Sequence, residues 1–318
     1  MRAVLIINPV SGDNEPNTGK ISHIHELLRD APFSMDVICT SADKTASSIA
    51  QRAVEGGFDV ILVGGGDGTV GEVARHVVHK DTTLGIIPIG TFNNIARSLG
   101  IPADLADACR IIREGFTHKI DVGEADGHWF FEAAGAGLDA ALFPLGEEIK
   151  GGRWTRILGI ARLLFQYHPQ KFRLTFDRPL VEVLPPSRQR HRSARSLAGR
   201  VLKRHALFVV AANGPYYGGG FTVAPGARLN DGCLTISLFR NFSKLELLSH
   251  FRSISRGRHR YSPKIETYTV KQLHVDCSTL MPVHVDGQLL GNTPVTFRAV
   301  SAALRVFTPE NCEPVQAR

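Results

Sequence analysis

The stretch Asp59-Val-Ile-Leu-Val-Gly-Gly-Gly-Asp-Gly-Thr-Val-Gly-Glu-Val73 decides the fold. Val60 to Val63 is a short, β-branched, uncharged run of the kind that forms a strand buried on both faces. Val70, Val73, Ala74, Val77 and Val78 then recur at the spacing of an amphipathic helix. Gly64, Gly65, Gly66 and Gly68 fall where strand becomes helix. Glycines there let the backbone approach a ligand closely, and the free N–H groups of the helix's first turn favour an anion, typically phosphate. Thr69 and Glu72 have the spacing of a capping box, which would start the helix at that threonine. Asp67 is the odd residue. A carboxylate beside a phosphate is repulsive unless a divalent cation or a substrate hydroxyl proton lies between them, so it points to phosphoryl transfer. The pattern is not a P-loop, since no Gly-Lys-Ser/Thr follows, nor the dinucleotide Gly-x-Gly-x-x-Gly. A bare strand-to-helix turn would need only one glycine.

The same alternation extends to both sides. Ala3 to Ile7, Met35 to Cys39 and Leu84 to Ile87 read as further buried strands, and the stripes Ile24/Leu27/Leu28 and Ile49/Ala50/Ala53 as helices between them. Strand–helix alternation implies a parallel sheet covered on both faces. Pro88 to Arg97 is a second strand-to-helix junction, which puts Gly90, Thr91 and Asn93 on the same sheet edge as Gly64–Thr69. The first strand contributes Asn8, Pro9, Val10, Ser11 and Gly12 to that edge, and the second ends at Thr40. Ligands of open α/β sheets sit at the carboxyl ends of the strands, and four such ends converge here on small polar residues.

After Gly115 the pattern becomes paired strands with turn signals, Asp126-Gly127 and Asp286-Gly287 among them, which is antiparallel β. Strands are expected at Ile120–Ala125, Trp129–Ala133, Phe172–Phe176, Ala206–Ala212, Leu234–Phe239, Thr267–Val275 and Ala303–Phe307, with a helix at Thr155–Tyr167. We expect an α/β nucleotide-binding domain over residues 1–120 and a β-rich lipid-binding domain over 121–318, with the last residues returning to the first domain.

The chain has 318 residues, 43% of them apolar and 21% charged, which excludes a wholly disordered, collagenous or coiled-coil protein. Its longest uncharged stretch, Ala206 to Ala227, is broken by Pro215, Gly218, Gly219, Gly220 and Pro225, so no spanning helix is expected. The apolar run Ala3–Ile7 stops at Asn8-Pro9, too short for the core of a secretory signal, and a cytoplasmic protein is expected. The five cysteines are scattered, with no Cys-x-x-Cys, and read as reduced thiols.

Charge is uneven. Residues 150–271 hold 23 Lys+Arg against 5 Asp+Glu, and the rest of the chain 14 against 25. Two clusters dominate: Arg188, Arg190, Arg192, Arg195, Arg200, Lys203 and Arg204, then Arg252, Arg256, Arg258, Arg260 and Lys264. A polyanionic partner follows, and an anionic membrane surface fits, at about 1 kcal/mol per basic residue close to it. Nucleic acid is not expected, because no helix-turn-helix, zinc-finger or RNP-type motif accompanies the charge.

Taken together, Asn8–Gly12, Gly65–Thr69, Pro88–Arg97, Asn213–Leu234 and the Asp286-Gly287 turn resemble bacterial lipid kinases of the diacylglycerol kinase catalytic-domain family, relatives of sphingosine and ceramide kinases. The resemblance runs almost from end to end, whereas Gly-Gly-Asp-Gly alone also occurs in NAD kinases and phosphofructokinases. It implies a Rossmann-like, NAD kinase-like N-terminal domain that binds ATP, a C-terminal antiparallel β-sandwich, and phosphorylation of a lipid hydroxyl. It carries over Asn8–Gly12, Thr40, Gly65–Thr69 and Thr91 as nucleotide contacts, and the two strand-to-helix junctions add Gly64 and Asn93. It also implies a structural magnesium ion held by Asp231 with the carbonyls of Arg228 and Cys233, a hard-oxygen set that suits that ion. Composition alone permits a wide loop over Asn213–Leu234, with Asp231-Gly232 as a simple turn.

Two departures stand out. Where the family has Asp-Gly-Glu, with the Glu as base for the lipid hydroxyl, this chain reads Asp286-Gly287-Gln288, and an amide cannot accept that proton. Gly71 stands where related motifs place Asn. The leading expectation is an ATP- and magnesium-dependent lipid kinase, peripherally bound to membrane, with Asp67 and Gln288 in the catalytic positions. The competing readings are a non-catalytic binder of lipid or nucleotide and a soluble-substrate kinase. The sequence leaves a homodimer open.

Overall fold

The computed structural model describes residues 1–8, 18–142, 167–178, 200–240, 242 and 264–311. They fall into two compact units, one within 1–122, 228–231 and 300–315, the other within 123–227, 232–299 and 316–318.

In the first unit, four strands and five helices alternate: β1 (Arg2–Ile7), α1 (Thr18–Leu27), β2 (Ser34–Cys39), α2 (Ala46–Glu55), β3 (Val60–Gly65), α3 (Asp67–Val77), β4 (Thr83–Pro88), α4 (Asn94–Ser98) and α5 (Leu105–Glu114). The strands are parallel in the order β2-β1-β3-β4. All six residues of β3 and of β4 are buried, as expected for strands covered on both faces. Helix α2 is capped by Thr45, whose hydroxyl accepts the N–H of Ser48, and buries Ala46, Ile49, Ala50 and Ala53. Helix α5 starts on Asp104 and ends on Gly115 in the left-handed region, the usual place for glycine after a last turn. Gly85 makes room for Leu62, since a Cβ there would displace the end of that side chain.

In the second unit the chain is antiparallel. Strand β5 (Thr117–Ala125), which has residues in both units, turns through Asp126 and Gly127, both at positive φ, into β6 (His128–Phe130). The others are β7 (Ala133–Gly137), β8 (Gln170–Phe176), β9 (Val201–Ala206), β10 (Phe208–Ala212), the short β11 (Tyr216–Tyr217) and β12 (Phe221–Thr222), and β13 (Leu234–Phe239). They continue with β14 (Ile265–Val270), β15 (Gln272–Cys277), β16 (Pro282–Val285), β17 (Gln288–Asn292) and β18 (Val295–Phe307). One sheet runs β14-β13-β10-β7-β16-β17; the other joins β9, β8, β15 and the first half of β18. The second half of β18 belongs to the first unit, where Val306 pairs with Leu84 of β4.

Phe172, Leu174, Leu273, Val275 and Phe297 of the second sheet pack against Ala134, Val209, Ile236, Val283 and Val285 of the first, the filled interior of a sandwich. The six-stranded sheet carries a second apolar layer on its other face, with Phe208 stacked on Phe239 at 4.2 Å.

Four expectations change. The strand expected at Trp129–Ala133 is the end of β6 and the start of β7, with Phe131 and Glu132 between them. The single strand expected at Thr267–Val275 is two, β14 and β15, one in each sheet, with exposed Lys271 at the corner. Ala206–Ala212 likewise breaks at Leu207, where β9 leaves one sheet and β10 enters the other. Helix α3 starts at Asp67 with Gly66 as its cap, so Thr69 and Glu72 form no capping box. The Thr69 side chain instead fills the space beside Gly65, 2.7 Å from where a Cβ on that glycine would lie. The expected helix Thr155–Tyr167 lies outside the described residues except for Tyr167, which is in no helix.

Candidate active site

In the first unit the registers bring the four strand ends level: Ile7 pairs with Cys39 and Gly64, Gly64 with Ile87, and Gly65 with Pro88. The chain leaves each strand tied to its neighbour. Asn8 donates its N–H to the Gly64 carbonyl at 3.0 Å, Thr40 to Ile7 at 2.9 Å and Ile89 to Gly65 at 3.3 Å. Pro9, Val10, Ser11 and Gly12 lie outside the described residues.

Two glycines let the two strand-to-helix junctions touch. A Cβ on Gly90 would collide with the Gly66 backbone, whereas a Cβ on Gly68, which is exposed, would meet nothing within 4 Å. Asp67 opens α3, and its Oδ1 accepts the N–H of Ile95 at 2.9 Å, so the carboxylate of one junction anchors the helix of the other. Asn93 has φ 51° and ψ 45°, and its side-chain amide closes a ring on Gly90, accepting that residue's N–H at 3.0 Å and donating to its carbonyl at 2.8 Å. Asn93 therefore holds the turn, and Thr91 beside it is exposed. Gly71 is buried within α3.

Of the implied magnesium ligands, Arg228 and Asp231 are exposed in the first unit and Cys233 is buried in the second, its Sγ taking a hydrogen bond from Arg178 at 3.3 Å. The segment is fixed by Asp121, a buried acid that no motif flagged: its N–H donates to the Leu229 carbonyl at 2.6 Å, and its Oδ1 accepts the N–H of Ala302 at 2.9 Å. Among the described residues no three His, Cys, Asp or Glu side chains gather to hold a metal. The chemistry of the donor set still fits magnesium, because one exposed carboxylate with backbone carbonyls is what an ion that keeps several waters requires.

In the second unit Asp286 and Gly287, at φ 45° and 82°, form the tight turn between β16 and β17. The Asp286 carboxylate accepts three backbone N–H groups, those of Phe131 (2.8 Å), Glu132 (2.9 Å) and Ala133 (3.1 Å). It is committed to holding the turn. Gln288 follows it, exposed, as the first residue of β17. Sequence reading also missed a buried polar group in this unit: Glu132, Asp139, Tyr217 and His284. The available signal was one ionisable residue inside an apolar run, as in Val283-His284-Val285, which needs a partner when buried. Burial pushes the Tyr217 hydroxyl well above its ordinary pKa, and the charges of Asp139, Glu132 and Asp286 add to the shift.

Residues 2–125 match the model of the diacylglycerol kinase catalytic domain, and residues 135–308 that of the YegS C-terminal NAD kinase beta sandwich-like domain. The chain belongs to the diacylglycerol kinase catalytic-domain family. Curated relatives in this lipid kinase family include a protein named diacylglycerol kinase from Staphylococcus saprophyticus, 28% identical, with 98% of this chain and 96% of that one covered. Another so named, from Staphylococcus aureus, is 28% identical with 98% and 93% covered. Two solved structures from Bacillus anthracis str. Sterne share the fold over 98% of both chains. One is described as a diacylglycerol kinase and has TM-score 0.67 at 21% identity; the other has TM-score 0.74 at 25%. These comparisons give no support to a non-catalytic reading. No helix among the described residues is long and apolar enough to cross a membrane.

Proposed function

We propose that this lipid kinase uses ATP and magnesium to phosphorylate a hydroxyl of diacylglycerol or a similar lipid. The observation that carries the reading is the convergence of Gly64–Thr69 and Pro88–Asn93 at one sheet edge, joined by the Asp67–Ile95 hydrogen bond. There the first-turn N–H groups of α3 and the glycine backbone bind the phosphates, while Asn8, Thr40 and Thr91 border the nucleotide. Bound magnesium supplies neutralisation of phosphate charge, which is most of what a dissociative phosphoryl transfer asks of a site. Asp67 takes the proton of the attacking hydroxyl as that oxygen bonds to the γ-phosphorus and the bond from phosphorus to the departing ADP breaks. Gln288 orients that hydroxyl through its amide. Asp231, with the Arg228 carbonyl, would hold a second, structural magnesium.

Access to lipid comes from a basic face. Arg188 to Arg195 and Arg252 to Arg260 lie outside the described residues, and Arg204 is spent on Glu266 at 3.2 Å. Lys171 and Arg173 of β8, however, pair in register with His205 and Lys203 of β9, all four exposed on one sheet face. Asp276 pairs with Arg173 on its other side. Arg173 and Lys203, like charges directly opposite, repel, and an anionic bilayer relieves that repulsion. The protein thus works as a peripheral membrane enzyme.

The test is incubation of the purified protein with magnesium, labelled ATP and mixed lipid vesicles, beside Asp67→Asn. Labelled lipid from the parent, lost in the variant, supports the reading; ATP bound normally with no lipid labelled overturns it.

A further inference from the structure

His284 is fully buried on β16, between Val283 and Val285, whose side chains enter the sandwich. Its own side chain points to the opposite face of the sheet. Nε2 lies 2.9 Å from the Tyr217 hydroxyl oxygen and 3.1 Å from Oδ2 of Asp139. The other Asp139 oxygen accepts the N–H of Ala140 at 2.8 Å. Gly135 pairs with His284 across the sheet and makes room for this group: a Cβ there would collide with the Asp139 carboxylate and come 2.7 Å from Nε2. On the far side of the ring, Gly287 donates its N–H to Nδ1 at 3.4 Å. An Nδ1 that accepts this N–H puts a ring proton on Nε2, facing Asp139 and Tyr217.

The contacts connect the turn that the proposed reaction uses to a glycine-rich loop. Gly287 belongs to the turn that presents Gln288. Tyr217 belongs to the glycine-rich loop 213–222. A second route runs parallel to the first: Asp286 grips the backbone of Phe131, Glu132 and Ala133, and Glu132 in turn holds the loop. Its carbonyl accepts the N–H groups of Asn213 (2.9 Å) and Gly214 (3.2 Å), and its carboxylate that of Gly218 (3.1 Å).

We infer that Tyr217, His284 and Asp139 are positioning residues, which lock the loop 213–222 to the Asp286-Gly287-Gln288 turn so that the two hold one geometry. The need arises from Gln288 itself. An amide cannot take the proton and can contribute only by orienting the hydroxyl, and orientation is lost when its support shifts; a misplacement of about 1 Å costs on the order of a hundredfold in rate. The inference rests on the kinase reading for its catalytic consequence, and on the hydrogen bonds alone for its structural one.

The experiment compares full-length parent, Tyr217→Phe, which removes one hydroxyl and keeps the ring, and His284→Asn. Amide hydrogen exchange is followed in segments 213–222 and 285–289, and kcat and KM for ATP are measured on diacylglycerol vesicles. The expected result is at least tenfold faster exchange in both segments together. kcat should fall at least tenfold with KM for ATP within twofold, and the double variant should be no worse than the single ones. Faster exchange in one segment only, or Tyr217→Phe turning over at the parent's rate, overturns the inference. Should the parent label no lipid, the kinase reading fails and the exchange result still decides: coupled segments support the lock and uncoupled ones refute it.

Discussion

The Asp67 carboxylate accepts the backbone N–H of Ile95 at 2.9 Å, tying the start of α3 to the start of α4. One oxygen of the residue proposed to take the hydroxyl proton therefore also does structural work, and two substitutions separate the roles. Asp67→Asn keeps an acceptor for Ile95 and removes the charge. It should lower kcat by about a hundredfold or more at a stability cost of about 1 kcal/mol. Asp67→Ala removes both and should cost about 1–3 kcal/mol, read as an earlier denaturation midpoint. Equal activity in Asp67→Asn and parent would remove this residue from the chemistry.

Gly68 and Gly90 should fail in opposite ways. A Cβ on Gly90 runs into the Gly66 backbone, which cannot swing aside, so Gly90→Ala should destabilise by about 1–3 kcal/mol, as overpacking does. Gly68→Ala meets nothing and should melt like the parent. If the nucleotide phosphates approach this backbone closely, the same variant should raise KM for ATP at least tenfold. An unchanged KM would place the phosphates elsewhere.

Burial pushes the Cys109 thiol up to about 11, the charge of Arg113 opposing that shift in part. A thiol whose folded pKa lies above its unfolded one stabilises the fold below the unfolded value, near 8.5, and loses that contribution as pH rises toward the folded value. The melting temperature should therefore fall between about pH 9 and 11 more steeply in the parent than in Cys109→Ala. Exposed Cys39 should be alkylated readily at pH 8 while Cys109 reacts only on unfolding. Parallel alkaline slopes in parent and variant would count against this assignment.

The first unit was the more legible of the two, because local signals specify it. Continuous apolar runs such as Val60–Val63 become strands covered on both sides, and glycine clusters mark where the backbone must approach its neighbour. Reading failed where two distant segments share one function. The Asp67–Ile95 bond spans 28 residues and the Asp139–His284 contact 145, and no periodicity encodes either. The start of α3 was misplaced for a related reason. Thr69 has a capping residue's chemistry, but the space beside Gly65 claims its side chain. The corner at Lys271 was invisible because β14 and β15 form one uninterrupted strand-like run, and only pairing partners distinguish them.

Gln288 is exposed at the start of β17, so Gln288→Glu changes chemistry without repacking anything. If the amide only orients the hydroxyl, a carboxylate in its place should add base catalysis and raise kcat, by about tenfold or more. The gain should disappear at low pH as the new acid protonates, near pH 4 to 5. A variant no faster than the parent at any pH would mean that proton removal limits neither enzyme.

The exposed cations on β8 and β9 make membrane docking testable apart from catalysis. Neutralising Lys171, Arg173 and Lys203 together should remove about 1 kcal/mol of vesicle binding each, or about a hundredfold in total. The loss should be greatest at low salt, since the Debye length is about 8 Å at physiological ionic strength. Sedimentation with vesicles of anionic and zwitterionic lipid gives the number, and neutral vesicles alone serve as the control. Phosphorylation of a short-chain diacylglycerol presented in solution should be unchanged in the triple variant, because none of the three residues is placed in the nucleotide or hydroxyl site. Vesicle binding that survives the triple change would move the docking face to the arginine-rich segments 188–195 or 252–260. Binding to duplex DNA lost in step with vesicle binding would mean that the face reads polyanions in general.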